Sequence, residues 1–263
     1  MPELPEVETI ARQLRKNILG KTIAKITVHD TKVVQKAVAK IKAQKINAIR
    51  RHGKYLFMEL DKQHLLVHLR MTGYFEYSRH QHGNLKYLAA KLHFQDKSQL
   101  TFHEIRRFGE FKIVTPEQIS SLLERLGPDP VDPSFTSTVF SSVLSAKKKA
   151  NIKAALMDQS VIAGIGNIYA QEVLYKAGID PKRSVKNLSK TELDNLYGHL
   201  QSTLKSAIKH CGTTVQNYLN MNGAGKFQKF LTVYEKEQCP KKHLIERIVV
   251  GGRGTYWCKR CQR

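Results

Sequence analysis

Once Met1 is removed, Pro2 stands at the head of the chain, and proline is small enough to permit that removal. It then presents a secondary amine that can attack an aldehyde carbon and form an iminium ion, a lysine-like nucleophile without the long stem. An α-amino group has a pKa of about 8 against about 10.4 for lysine, so more of it is neutral at pH 7. Glu3 and Glu6 bracket the amine as candidates for proton transfer. The same residues also suit a helix start with no chemistry attached. At the other end, Cys258-Lys259-Arg260-Cys261 has the two-residue spacing that lets two thiolates bind one Zn²⁺. In Val161-Ile162-Ala163-Gly164-Ile165-Gly166-Asn167-Ile168-Tyr169, the glycines form a tight turn before a helix. That places Asn167 and backbone N–H groups where phosphate can be held, though an ordinary helix-turn-helix corner reads the same way.

Positioning these groups requires several elements. From Pro5 to Leu19 the apolar residues Val7, Ile10, Ala11, Leu14 and Ile18 fall at helical spacing, with Glu6 and Glu8 at the positive end of the dipole and Gly20 at the stop. From Thr22 to about Val114 the pattern is short and strand-like, with turns at Asp61-Lys62 and Gln95-Asp96-Lys97-Ser98, which reads as a sandwich or barrel. Three prolines in Leu126-Gly127-Pro128-Asp129-Pro130-Val131-Asp132-Pro133 mark a boundary or stiff linker. The chain then reads helical to about Cys211, with a capping box at Ser189-Lys190-Thr191-Glu192.

The 263 residues carry 44 Lys plus Arg against 22 Asp plus Glu, a net charge of +22 spread over the whole length. Such an excess points to a polyanion, either nucleic acid or an anionic membrane. The longest apolar runs, such as Ile248-Val249-Val250, are too short to span a bilayer, and the N-terminus lacks a signal-peptide pattern. A cytoplasmic setting is expected, or a nuclear one in a eukaryote, where four cysteines argue for metal or inert thiols rather than disulfides. Cys211 reads as an inert thiol.

The string Pro2-Glu3-Leu4-Pro5-Glu6-Val7-Glu8-Thr9 resembles the N-terminus of the formamidopyrimidine-DNA glycosylases, bacterial enzymes that excise oxidised purines. The resemblance implies that Pro2 forms a Schiff base with the damaged nucleotide's sugar and that Glu3 assists opening of the sugar ring; Glu6 also matches and is expected among the residues that face the DNA. Further motifs follow in the family's order over nearly the whole chain. Arg50-Arg51-His52-Gly53-Lys54-Tyr55-Leu56 implies a phosphate contact at Lys54. His68-Leu69-Arg70-Met71-Thr72-Gly73 implies a phosphate contact at His68 and a Met71 that enters the gap left by a flipped base. Arg106-Arg107-Phe108-Gly109 implies an Arg106 facing the orphaned base and a Phe108 wedging the stack. Extruding a base costs a few kcal/mol of unstacking, which apolar wedges and an arginine in the hole offset. By the same resemblance Asn167 and Tyr234 contact phosphate, Lys153 lies near the damaged nucleotide, and Arg253 in Val250-Gly251-Gly252-Arg253-Gly254-Thr255 sits on the phosphates beside the lesion.

The chain departs from the family pattern in two places. The family expects a second Cys-x-x-Cys upstream, where this chain has Cys239-Pro240-Lys241-Lys242-His243, one residue longer and lacking a thiolate. His243 then supplies the fourth ligand beside Cys239, Cys258 and Cys261, since Cys₃His sites exist. After Asn84-Leu85-Lys86 the family often reads Lys-His-Asp-His, where this chain has Lys86-Tyr87-Leu88-Ala89.

The expected fold is α+β in two domains: an N-terminal helix-flanked β-sandwich, and a C-terminal helical helix-two-turns-helix domain ending in a β-hairpin zinc finger. The expected segments are 1–127, a linker at 128–134, a helix-two-turns-helix region with a lesion-covering loop at 135–226, and a zinc module at 227–263. The resemblance implies a bifunctional glycosylase and abasic-site lyase of base excision repair, a monomer with one structural Zn²⁺ in the bacterial cytoplasm, associated with the nucleoid. Its partner is double-stranded DNA containing oxidised bases or abasic sites, held in a basic cleft, with specificity in the loop from Asn217 to Lys226. The alternatives are an endonuclease VIII-like glycosylase for oxidised pyrimidines and a non-catalytic DNA-damage-binding protein.

Overall fold

The structure, a computed structural model, describes residues 1–79, 85–214 and 218–263. The expected positions Asn84 and Asn217 lie outside the described residues. The chain forms two compact units, Met1–Leu123 with His210–Lys226, and Glu124–Lys209 with Phe227–Arg263.

The first unit opens with helix α1 (Leu4–Ile18), whose stripe Val7, Ile10, Ala11, Leu14 and Ile18 is fully buried. Gly20, at φ +79°, turns the chain out of the helix into β1 (Thr22–Val28). Then follow β2 (Gln44–His52), β3 (Tyr55–Leu60), β4 (His64–His68), β5 (Gly73–Ser78), β6 (Leu88–Phe94), β7 (Gln99–Glu104), β8 (Glu110–Val114) and the helix α2 (Pro116–Glu124). The strand order is β5-β7-β6-β1-β2-β3-β4-β8, and all registered pairs are antiparallel. β1 and β2 pair only through Thr22↔Lys45 and Ile23↔Gln44, so the sheet folds at this corner into the two layers of a sandwich. Both layers and α1 share one core, to which Ile10, Ile26, Leu65, Phe75, Leu100 and Phe111 all belong. Glu8 fastens α1 to β2 by accepting from Arg51 at 2.7 Å, and it accepts from Arg12 at 2.8 Å. Burial pushes its carboxyl up, but the bonds from Arg51 and Arg12 outweigh that and hold it below the usual carboxylate range.

The segment at 210–226 was expected with the helical region, yet it packs in the first unit. Polar groups on α1 explain this. Gln13 donates to Asn220 Oδ1 at 2.9 Å and accepts from the Met221 N–H at 2.9 Å, while the buried Tyr218 hydroxyl donates to the Glu6 and Cys211 carbonyls.

The second unit contains α3 (Ser137–Ser145), α4 (Ile152–Met157), α5 (Asn167–Lys176), α6 (Lys190–Lys209) and the hairpin β9 (Glu246–Val250) and β10 (Arg253–Trp257). The capping box at the start of α6 forms as expected: Ser189 N–H donates to Glu192, and Glu192 N–H to Ser189 Oγ. The proline-bearing stretch packs against the helical unit. Gly127 lies so close to Val161 that a Cβ there would come within 2.4 Å of its carbonyl, and Ala163 N–H donates to the Pro128 carbonyl. The zinc module likewise belongs to this unit, because β10 packs on α5 and the terminal Arg263 pairs with Gly178 and Asp180.

Candidate nucleic-acid interface, catalytic residues and metal centre

Pro2 and Glu3 precede α1, and Glu3 is its N-cap, buried to 2 % exposure. The Glu3 N–H donates to Glu6 Oε2 at 2.8 Å. Glu6 Oε1 accepts from the Thr213 N–H at 2.7 Å, and the neighbouring Gly212, at φ +77°, leaves no room for a Cβ against the Glu6 side chain. Glu6 was expected among the DNA-facing residues. Its carboxylate instead turns inward and ties Glu3 to the segment at 212–213, because a buried carboxylate must be met by donors.

Lys54 follows Gly53 in the β2–β3 turn, where φ +54° calls for a residue without Cβ. His68 ends β4, buried beside the edge of the Tyr55 ring at 4.5 Å. Its Nδ1 accepts from the Arg70 N–H at 3.0 Å, so the ring proton sits on Nε2. Burial first, then the charges of Arg70 and Lys54, pull His68 down to about 4 against the pull of Glu110. The ring is therefore a neutral donor at pH 7.

Two loops at one end of the sandwich carry the three expected void-fillers. Met71 lies between β4 and β5, and Arg106 and Phe108 lie between β7 and β8. Phe108 is 55 % exposed and Met71 39 %, an unusual state for large apolar side chains and one that suits a wedge. The loops are fastened to each other by the Thr72 hydroxyl, which donates to Glu104, while the Arg106 N–H donates to both Thr72 Oγ1 and Glu104 Oε1 at 3.1 and 3.2 Å. Arg107, at φ +59°, is held by Asp30, with an Nη2 to Oδ1 distance of 2.8 Å.

In the second unit the glycine turn precedes α5 as expected, with Gly164 at φ +97° and Gly166 as N-cap. Asn167 Nδ2 donates to the Gly254 carbonyl at 3.2 Å. The residue expected to grip phosphate thus also holds the hairpin. Gly251 and Gly252 have φ +58° and +72°, and Val250 pairs with Arg253, which makes a two-residue hairpin turn that projects an exposed Arg253. Lys153 was expected near the damaged nucleotide, but it has no exposed surface. Its ammonium donates to Thr255 Oγ1 at 2.7 Å, and that hydroxyl donates to the Arg253 carbonyl at 2.9 Å. Burying the aliphatic stem between α4 and the hairpin requires this polar partner.

Glu172 on α5 escaped sequence reasoning. Its fully buried carboxylate accepts from the Thr232 N–H and hydroxyl and from the Val233 and Tyr234 N–H groups, at 2.6 to 3.0 Å. This latch sets the backbone of Tyr234, whose ring meets the edge of Tyr256 at 5.6 Å. A polar Gln171-Glu172 pair between the apolar Ile168-Tyr169-Ala170 and Val173-Leu174 was the available signal. Gln171 was missed too; it donates to the Gly254 carbonyl and accepts from the Tyr256 N–H at 2.6 Å.

Cys239, His243, Cys258 and Cys261 offer ligand atoms that all lie within 4.8 Å of one another. Tetrahedral zinc with Zn–S bonds of about 2.3 Å places its sulfurs about 3.8 Å apart. Cys239 and Cys261 Sγ are 3.9 Å apart, and His243 Nδ1 lies 3.3 Å from Cys261 Sγ and 3.9 Å from Cys258 Sγ. The extra residue between Cys239 and His243 is absorbed in a turn closed by the Cys239 N–H to His243 carbonyl bond, with Lys242 at φ +60°. The donor set fits one structural zinc ion as Cys₃His. Tyr175 on α5 hydrogen-bonds Cys239 and Cys261, and burial together with those thiols pushes its phenol far above the ordinary range.

Among the described residues, no helix is long and apolar enough to cross a membrane. Residues 1–111 match the family described as Formamidopyrimidine-DNA glycosylase N-terminal domain, residues 126–218 the Formamidopyrimidine-DNA glycosylase H2TH domain, and residues 242–263 the zinc finger found in FPG and IleRS. A formamidopyrimidine-DNA glycosylase of Streptococcus pneumoniae is 37% identical, with 100% of this chain and 99% of the relative covered. One of Geobacillus kaustophilus is 38% identical, with 100% of both covered. Among solved structures, the Lactococcus lactis Fpg in complex with abasic-site-containing DNA has a TM-score of 0.90 at 32% identity over 99% of each chain. A mutant of that protein with Fapy-dG-containing DNA has a TM-score of 0.90 at 33% identity over 100% of each chain. With full-length relatives at this identity and the N-terminal, H2TH and zinc-finger models together matching most of the chain, the chain belongs to the formamidopyrimidine-DNA glycosylase family, zinc-bearing DNA-repair enzymes with glycosylase and abasic-site lyase activity.

Proposed function

We propose that this chain excises oxidised purines, 8-oxoguanine opposite cytosine and formamidopyrimidines, from duplex DNA in the bacterial cytoplasm, and then cleaves the strand. The observation that carries the reading is the Pro2-Glu3 pair at the head of α1, with Glu3 held through Glu6. With Met1 removed, the neutral Pro2 nitrogen attacks C1′. The bond from C1′ to the base breaks and the base leaves with a proton, while Glu3 delivers a proton to O4′ as the sugar ring opens to the iminium. The iminium acidifies C2′. Loss of a C2′ proton expels the 3′ phosphate, and a second elimination expels the 5′ phosphate, leaving a one-nucleotide gap.

In this reading Lys54, His68, Asn167, Tyr234 and Arg253 contact phosphates, and Met71, Arg106 and Phe108 replace the everted nucleotide. Lys153 and Glu6 act through the groups they hold. The zinc ion supplies no chemistry; it folds the finger that presents Arg253. The test is borohydride trapping on a duplex with 8-oxoguanine opposite cytosine. A covalent adduct that disappears in Pro2→Gly is expected, and its absence from zinc-loaded protein sinks the reading. Stronger cleavage of a thymine glycol duplex assigns the chain to oxidised pyrimidines instead.

A further inference from the structure

The first unit carries a basic surface that the repair reaction leaves unused. Register places Lys25 of β1 beside His93 of β6, and Thr27 beside Lys91, so these side chains alternate with the core residues Ile26, Leu92 and Phe94 and face away from the core. Lys97, in the turn between β6 and β7, completes the rim of a hollow of about 400 Å³ lined by Lys25, Lys91, His93, Phe94, Lys97 and Gln99. Among the described residues, none of Lys25, Lys91 and Lys97 forms an ion pair. The nearby carboxylates are committed elsewhere: Asp96 to Lys21 and Ser98, and Glu76 to His103 at 3.5 Å. Burial, then the charges of Lys25, Lys91 and His29, hold His93 below its ordinary range, as expected where positive charge is uncompensated.

The hollow is not an extension of the void-filling loops. It sits at the Gln99 end of β7, whereas Arg106 and Phe108 follow the Glu104 end. The intervening strand is about 17 Å long.

We propose that this outer face of β1 and β6 binds the phosphodiester backbone of a second DNA duplex while the repair site engages the first. The assignment rests on the DNA-repair reading. It is favoured by charge complementarity: ammonium groups on adjacent strands and a turn, without an ion-pair partner among the described residues, match a line of phosphates, and Phe94 is the one apolar residue in the lining. Holding two segments lets the enzyme pass between them while searching for lesions.

The test is sedimentation of the intact zinc-loaded protein with excess labelled undamaged duplex at low salt, beside a Lys25→Ala, Lys91→Ala, Lys97→Ala triple variant. Wild type takes two duplexes per chain. The triple variant takes one, its second-site affinity falling about tenfold or more, with unchanged melting temperature and unchanged borohydride trapping on lesion DNA. Saturation of wild type at one duplex overturns the proposal, as does a triple variant that still takes two. Phosphatidylglycerol vesicles captured through these lysines, with no second duplex bound, also overturn it. A protein that takes two duplexes yet yields no trapped adduct fails the repair reading and leaves this surface standing.

Discussion

The guanidinium of Arg106 lies 3.1 Å from Met71 Sδ and 5.0 Å from the centre of the Phe108 ring, so one side chain bridges both wedges. Groups in such contact do not act independently. Met71→Ala and Arg106→Ala should each weaken binding to a duplex with an abasic-site analogue, and the double variant should depart from their sum by about 0.5–3 kcal/mol. Fluorescence anisotropy on the four proteins of the cycle measures this. Strict additivity would mean that Met71 and Arg106 fill the gap separately.

His68 makes a prediction about acid. Its folded pKa of about 4 lies below the ordinary 6.5, so the stability it confers is complete above pH 6.5 and lost as pH falls toward 4. The loss is at most about 3 kcal/mol. In His68→Asn the side-chain oxygen can still accept from the Arg70 N–H, and the variant's unfolding free energy should be flatter between pH 6.5 and 4. Parallel pH profiles for the two proteins would show that His68 titrates alike in the folded and the unfolded chain.

The same neutrality separates His68 from Lys54 in DNA binding. A neutral donor releases no counterion, whereas an ammonium on a phosphate releases about one. Lys54→Ala should reduce the slope of log affinity against log salt by about 1, and His68→Asn should weaken binding while leaving the slope alone. Equal slope changes in both variants would put a charge on His68.

Much of the site was legible because its signals are local. The period of α1, the paired glycines before Arg253 and the Cys258-Cys261 spacing each act within a few residues. What escaped was long-range polar satisfaction. Lys153 could be matched to a motif, but its burial against Thr255, 102 positions away, depends on how α4 meets the hairpin. Glu6 looked like a proton-transfer group because its chain neighbours were visible and its partner Thr213, 207 positions away, was not. The placement of 210–226 with the sandwich followed from Gln13 and Tyr218, ordinary residues in the sequence whose partners only the fold supplies.

Glu172 is such a long-range group, and its four accepted bonds make it a sharp test. In Glu172→Gln one carboxylate oxygen becomes an amide N–H₂ facing donors, so either the Thr232 N–H and hydroxyl or the Val233 and Tyr234 N–H groups lose their acceptor. The expected cost is about 2–4 kcal/mol of unfolding free energy, measured by denaturant titration. Binding to duplex DNA should weaken alongside, because the Tyr234 backbone is released. A variant as stable as wild type would mean that water replaces the carboxylate.

The metal centre allows the last prediction. The hairpin is fastened to α4 and α5 by Lys153, Asn167 and Gln171 without help from the metal, and the terminus by Gln262 donating to the Ile179 carbonyl. Among the described residues, the stretch holding Cys239 and His243 has weaker ties: the Gln238–Leu244 bridge, the bonds closing its own turn, and the Tyr175 hydroxyl bond to the Cys239 thiol. Zinc removal should therefore loosen this stretch first and leave the helices of the unit folded, with little change in far-ultraviolet circular dichroism and a clear loss of DNA affinity. His243→Ala should lose zinc on dialysis, and His243→Cys should retain it, since a thiolate restores the fourth donor. The ligands bind as neutral imidazole and thiolates, so zinc affinity of the wild type must fall as pH is lowered. Metal analysis across pH 5 to 8 checks this, and full zinc occupancy in His243→Ala would remove His243 from the coordination sphere.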